Sequence, residues 1–198
     1  MKLHVEDSSG LGPVDFYGWT KKHVEDLTNF YAEKNSLSII NIRLANAAGY
    51  GETNLKLLGT ILHQIHGGAS VVELGNLTPR RDFIHVDDIA WVIENLLEVW
   101  PVKPGVVNNF NVGTGYEPVS VKELFVKIVT SIGRDIKLKS VKARQRNPEA
   151  ERELLCLDIA KLKSALPNYK PKRIDEWLDG VVKKPGLRVN ENLESVVT

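Results

Sequence analysis

Apolar residues recur along this chain with two different periods, and the alternation between them sketches a fold. Between Gly18 and about Lys34, Val24, Leu27, Phe30 and Tyr31 return at helical spacing among Lys, Glu and Asp, the pattern of an amphipathic helix. Ser38 to Ala45 is short and rich in β-branched residues, which predicts a mostly buried strand running into the small-residue loop Asn46 to Gly51. Leu55, Leu58, Leu62 and Ile65 form the next helical stripe, Gly67-Gly68 ends it, and Ser70 to Leu74 reads as a strand. Arg81 to Val86 is a further extended piece, after which Asp87 is placed to cap a helix through Ile89, Val92, Ile93, Leu96 and Leu97 that stops at Pro101.

The second half continues the alternation. Val106 to Val112 reads as a strand and Gly113-Thr114-Gly115 as a turn; Ser120 with Glu123 has the spacing of a capping box, and Gly133 stops the helix it opens. A strand near Ile136 to Val141 is followed by Lys142 to Arg152, whose arginines and acids show neither period; this predicts a loop suited to a ligand. Helices near Ile159 to Leu166 and Ile174 to Lys183 precede a tail from Pro185 that is expected to be partly disordered. The first sixteen residues, with Gly10, Gly12 and Pro13 among acids and serines, have loop composition. Strands alternating with helices predict an α/β protein with parallel pairing across helical connections. No strand leads into a glycine-rich turn and helix of the G-x-G-x-x-G kind, the element that seats a dinucleotide pyrophosphate on a helix N-terminus.

Length and charge narrow the picture. The 198 residues suit one domain, or one domain with a small lobe. Lys and Arg number 26 against 25 Asp and Glu, so there is no whole-molecule field to draw in nucleic acid or an anionic membrane, and neither is expected as a partner. The lone Cys156 cannot form an intrachain disulfide, no signal-like run follows Met1, and no apolar stretch approaches the ~20 residues of a membrane span; a cytoplasmic protein is the expectation.

Candidate chemistry begins with Tyr17 and Lys21, four residues apart at the start of the first helix and so on one face within about 6 Å. Lowering a tyrosine from ~10 to ~7, where it acts as a base at neutral pH, needs ~4 kcal/mol of phenolate stabilisation, which a neighbouring ammonium and an oxidised nicotinamide could jointly supply. Taken alone, the pair fits equally a tyrosine ring packed beside a solvated lysine. Asp87 and Asp88 sit at a helix start and read as dipole partners. His85 reads as structural, and no second His or acid has zinc spacing, so no metal site is expected.

Four strings raise the pair above coincidence: Phe16-Tyr17-Gly18-Trp19-Thr20-Lys21, Arg43-Leu44-Ala45-Asn46-Ala47-Ala48-Gly49, Arg81-Asp82-Phe83-Ile84-His85-Val86-Asp87-Asp88 and Phe110-Asn111-Val112-Gly113-Thr114-Gly115. Their order and spacing resemble the NAD-dependent sugar-nucleotide epimerases and dehydratases, extended short-chain dehydrogenases/reductases, and the resemblance covers about Glu6 to Val182. It implies a partial Rossmann-like parallel sheet with a small C-terminal substrate-binding lobe over residues 1–184, a tail over 185–198, and an N-terminal dinucleotide-binding half that is absent. It implies that Tyr17 is the base taking a sugar hydroxyl proton as hydride passes to NAD, and that Lys21 holds the nicotinamide ribose. The serine or threonine that assists them has no counterpart, since Ser8 and Ser9 lie too close to Tyr17.

The same resemblance puts Leu44 beside the nicotinamide, Asn46 at the diphosphate or sugar, Asn54 and Leu55 at the nucleotide end, and Arg81 on the diphosphate, where a guanidinium fork suits two phosphate oxygens. The bland alternatives are a turn residue for Asn46, helix core for Leu55 and a salt bridge to Asp82 or Asp87 for Arg81. The loop Arg144 to Glu149 is similar to the family's Arg-Pro-Gly-Asp, so Arg146 and Glu149 are the candidate diphosphate and ribose contacts; Arg144 and Glu151 stay open because the distance to Asp158 is two residues too long. Two functions follow. One is an NAD-dependent (or NADP-dependent) epimerase or dehydratase of a nucleotide sugar, present as a fragment, pairing as a homodimer through the Tyr17–Lys21 helix and not expected to bind NAD alone. The other is a truncated non-catalytic homologue that binds a nucleotide sugar or a protein partner.

Overall fold

Parallel strand pairs joined by helices organise the chain. The computed structural model describes residues 4–6, 12–13, 15–50, 56–147 and 151–183. Helix α1 (Phe16–Asn35) leads to β1 (Ile39–Leu44) and β2 (Asn46–Ala48); α2 (Leu57–His66), β3 (Val71–Leu74), β4 (Arg80–Arg81) and β5 (Phe83–His85) follow. After α3 (Val86–Val99) come β6 (Val107–Val112), β7 (Val119–Ser120), α4 (Val121–Ile132), β8 (Lys137–Ser140), β9 (Leu154–Leu155), α5 (Ala160–Ala165) and α6 (Ile174–Lys183). Strand β1 pairs in parallel with β6 from Ile39↔Val107 to Leu44↔Val112. Parallel pairs β2–β5 and β3–β8 lie beyond it, and β4 is flanked by antiparallel β7 and parallel β9.

Two apolar cores result. One gathers Ile61, Leu62 and Ile65 of α2, Val72 of β3, Leu124 and Ile128 of α4 and Trp177 and Val181 of α6. The other sits on one face of β1 and β6, where Phe110 and Val112 meet Val92 and Leu96 of α3 and Leu162 of α5. The helix ends follow their sequence signals. Ser120 accepts the Glu123 N–H while Glu123 accepts the Ser120 N–H, and Gly133 closes α4 with a left-handed backbone at φ 68°.

Two expectations, the Asp87 cap and a mostly buried β1, need correction, and the fold also decides which side of α1 turns inward. The Val24, Leu27, Phe30 and Tyr31 stripe of α1 faces outward, each side chain more than half exposed, and Ala32 is the buried residue of this helix. The reason is the strand face beneath it: Asn41 donates to Thr28 and Arg43 holds Glu25, so the polar side of α1 is the side turned inward. At α3 the cap is His85, whose Nδ1 accepts the Asp87 N–H at 3.2 Å, and Asp87 stands in the first turn. Strand β1, expected to be mostly buried, is only half-buried over most of its length, because β6 is its one neighbour among the described residues.

Candidate functional site

Asp15 fixes the start of α1 by accepting the Gly18 N–H at 2.7 Å, which sets Tyr17 and Lys21 on the first two turns. The Lys21 ammonium lies over the Tyr17 ring, 5.1 Å from its centroid, so the two do share a face; the ring is 69% exposed. Helix α1 is held to β1 by Arg43, whose guanidinium makes two parallel bonds to the Glu25 carboxylate at 2.9 and 2.7 Å and a third to the Glu6 carbonyl. The tyrosine helix and the strand ending in Leu44 are thereby one framework. Leu44 is exposed at the end of β1, and Asn46 opens β2, its N–H donating to the Asp82 carbonyl.

Arg81 occupies the middle strand of the β7–β4–β9 sheet. Partial burial holds its guanidinium below the usual arginine range; the nearby Glu151 and Glu153 carboxylates oppose that effect and Arg146 reinforces it. The loop after β8 thus holds Arg146 and Glu151 within electrostatic range of Arg81, whose guanidinium donates to the Arg80 and Glu153 carbonyls. Glu151 also accepts from Asn76 Nδ2 at 3.0 Å. Two arginines beside a carboxylate and an amide can grip an anion on one side and hydroxyl groups on the other. The salt bridges weighed against this role do not form: Asp87 pairs with Lys172, and the buried Asp82 accepts from the backbone and hydroxyl of Thr114 at 2.8 and 2.5 Å. Burial pushes the Asp82 carboxyl up from its ordinary value, opposed by those hydrogen bonds.

The two groups are tied by the Arg152 side chain and a short strand bridge. Arg152, just beyond Glu151, donates to the Gly12 carbonyl at 2.7 Å in the loop that leads into α1, and His4 bridges in parallel to Leu157. Among the described residues no hydrogen bond or ring contact joins Tyr17 directly to Arg81. Asn54, Leu55 and Glu149 lie outside the described residues. His85 is buried and set between Tyr50 and Trp177, and the described residues hold no cluster of metal-ligating side chains.

Sequence reasoning missed three supports. A Cβ at Gly75 would overlap the Arg144 carbonyl, so only glycine lets the arginine loop lie against the end of β3. A Cβ at Gly113 would strike the Asp82 carboxylate in the same way. Asn76 has no role in the strings, although its place just after Gly75 and before the arginine strand was a signal. Glu151, left open earlier, is near enough for its charge to act on Arg81, as is Glu153.

A model of the NAD dependent epimerase/dehydratase family matches residues 4–113, which takes in Tyr17, Lys21, Asn46 and Arg81. The chain belongs to this family. CDP-abequose synthase of Salmonella typhimurium is 31% identical over 107 residues, 54% of this chain and 35% of the relative. ADP-L-glycero-D-manno-heptose-6-epimerase of Brachyspira hyodysenteriae is 27% identical over 143 residues, covering 69% and 42%. Among solved structures, UDP-glucose 4-epimerase of Bifidobacterium longum, in complex with NAD+ and UDP, superimposes with a TM-score of 0.78 at 20% identity over 94% of this chain and 60% of its own. UDP-glucuronic acid 4-epimerase of Bacillus cereus, bound to its nucleotide sugar and NAD, gives 0.79 at 20% identity over 92% and 56%. These structures share the Rossmann-like α/β fold. The chain spans well under half the length of the curated relatives it matches.

Proposed function

We propose that this chain is the substrate-gripping and proton-transferring portion of an NAD-dependent epimerase or dehydratase acting on a nucleotide sugar. The observation that carries the reading is the Lys21 ammonium over the Tyr17 ring, on a helix whose entry loop is bonded to the segment beside Arg81. Tyr17 takes the proton of the sugar hydroxyl that is oxidised, and Lys21 favours the phenolate by its positive charge. Arg81 and Arg146 bind the diphosphate, Glu151 or Glu149 a ribose hydroxyl, and Asn46, Asn54 and Leu55 the remainder of the nucleotide sugar. NAD, when bound, supplies the acceptor for hydride.

The residues of this chain fit only one end of that cofactor. Tyr17, Lys21 and Leu44 suit the nicotinamide ribose, whereas the glycine-rich turn that would seat the pyrophosphate has no match in the sequence. Calorimetric titration of the isolated chain is therefore expected to show no micromolar NAD binding. Nucleotide-sugar binding is the separate test. A CDP-, UDP- or dTDP-sugar should raise the melting temperature, and Arg81→Ala should abolish the shift. No shift with any of them would favour the second reading, a non-catalytic homologue that works through its surfaces. The exposed apolar face of α1 supports pairing of two copies through that helix. No described helix is long and apolar enough to cross a membrane, and the buried lone Cys156 supports a reducing compartment, the cytoplasm.

A further inference from the structure

Arg81 stands between two residues that are both fastened to the segment after β6. Side chains alternate along an extended strand, so Arg80 and Asp82 point to one side and Arg81 to the other. On the first side, the Arg80 guanidinium donates to the Pro118 carbonyl and pairs with the Glu123 carboxylate at 3.2 Å. The buried Asp82 carboxylate meets Thr114 with both oxygens, Oδ2 accepting the N–H and Oδ1 the hydroxyl. The turn that receives it is held in its own right. Tyr169 donates its hydroxyl to the Gly113 carbonyl at 2.9 Å, Tyr116 donates to the Pro171 carbonyl at 3.0 Å, and the Thr114 hydroxyl accepts the Tyr116 N–H.

The main chain of Asp82 makes two more connections. Its carbonyl accepts the Asn46 N–H at 2.9 Å, where β2 begins, and its N–H donates to the Leu155 carbonyl at 3.4 Å, where β9 ends. One residue therefore joins β2, β9 and the turn after β6. A buried carboxylate is a costly way to fill this space compared with an apolar side chain; what it adds is a fixed geometry. On the other side of the strand, Arg81 donates through Nη1 to the Arg80 and Glu153 carbonyls. Among the described residues no hydrogen bond takes its Nε or Nη2, the adjacent donors that form a fork for two phosphate oxygens.

We infer that Asp82 is a positioning residue for nucleotide-sugar binding, holding the strand of Arg81 and the start of β2 at Asn46 in fixed relation to the turn after β6. This rests on the roles given to Arg81 and Asn46 above and deepens them. Asp82 touches no ligand in this account. By pinning its own side of the strand it sets where the guanidinium on the opposite side starts, and a misplacement of about 1 Å in such a group costs up to about a hundredfold.

Calorimetric titration with UDP-, CDP- and dTDP-glucose, at a temperature where circular dichroism shows each variant folded, tests this together with the Arg81 Nε–H nuclear magnetic resonance signal of the unbound chain. Asp82→Asn is expected to weaken binding by about tenfold or more and to displace the Arg81 signal. Thr114→Val, which removes one partner of the carboxylate, should act in the same direction, and Thr114→Ser, which keeps both donors, should bind like the wild type. Should Asp82→Asn not fold, the two Thr114 variants carry the same comparison. Wild-type affinity in folded Asp82→Asn or Thr114→Val overturns the inference. Weaker binding with an unmoved Arg81 signal overturns it too, because the loss would then be general destabilisation. If the wild type binds none of the three sugars, the nucleotide-sugar reading fails separately and the Arg81 signal decides alone: displaced in Thr114→Val and restored in Thr114→Ser, the positioning stands; unmoved, it falls.

Discussion

The core around α2, α4 and α6 and the core on β1 and β6 differ in how completely they close. In the first, helices from three parts of the chain surround β3, and Ile61, Leu62, Leu124 and Ile128 are essentially inaccessible. In the second, Phe110 and Val112 are equally buried, yet β1 is half-exposed and α3 and α1 both carry apolar residues in the open. A parallel pair has two faces and two edges to satisfy, and the described residues finish only part of them. The first core is thus closed by the described residues themselves, while the second, which lies on the strand ending in Leu44, is covered by them only in part.

The largest test of this contrast is a pair of truncations. Leu124→Ala in the closed core should cost about 2–5 kcal/mol in urea unfolding, whereas Leu97→Ala on the open side should stay within about 0.5 kcal/mol; comparable losses would erase the distinction. Next is Asp82, which joins β5 to the turn after β6 and so links the two regions. Asp82→Asn keeps the shape but sets an amide against the Thr114 N–H, and is expected to cost about 1–3 kcal/mol. Its pH dependence has a defined sign. Because burial raises the folded carboxyl above its unfolded value, the group's contribution is fully present below the unfolded value and is lost as pH rises through the folded one. The wild-type advantage over Asp82→Asn should therefore be largest in acid and decline through the interval just above the ordinary carboxylate range; an advantage that grows with pH there would contradict the assignment. The smallest effect is expected at the Glu25–Arg43 pair, half-buried on both sides. Glu25→Gln should lower stability by about 1 kcal/mol and loosen α1 on β1, read as faster exchange of the α1 amides than in the closed core.

Element order was legible because periodicity is a local property. Ile174–Lys183 has the bounds read from the sequence, and the Ser120–Glu123 cap and Gly133 stop stand where side-chain chemistry puts them. Errors fell where a partner distant in sequence decides. The period of the α1 stripe did not say which way it faces, and Asn41 and Arg43 claim the polar side of the helix; the α3 cap passed to His85 because the strand before it delivers that imidazole to the Asp87 N–H. In the site, the Tyr17–Lys21 neighbourhood follows from helical spacing alone. The convergence of Arg81 with Glu151 and Arg146 does not, since it depends on how a patternless loop lies against Gly75.

By itself the sequence determined the α/β alternation, the family strings and the one-turn separation of phenol and ammonium, because each is set by covalent spacing and backbone geometry. Only the tertiary structure decided which side of α1 faces the strands, which residue caps α3 and which charges lie near Arg81. Those depend on contacts between segments far apart in the chain, where burial and hydrogen-bond satisfaction outweigh local preference.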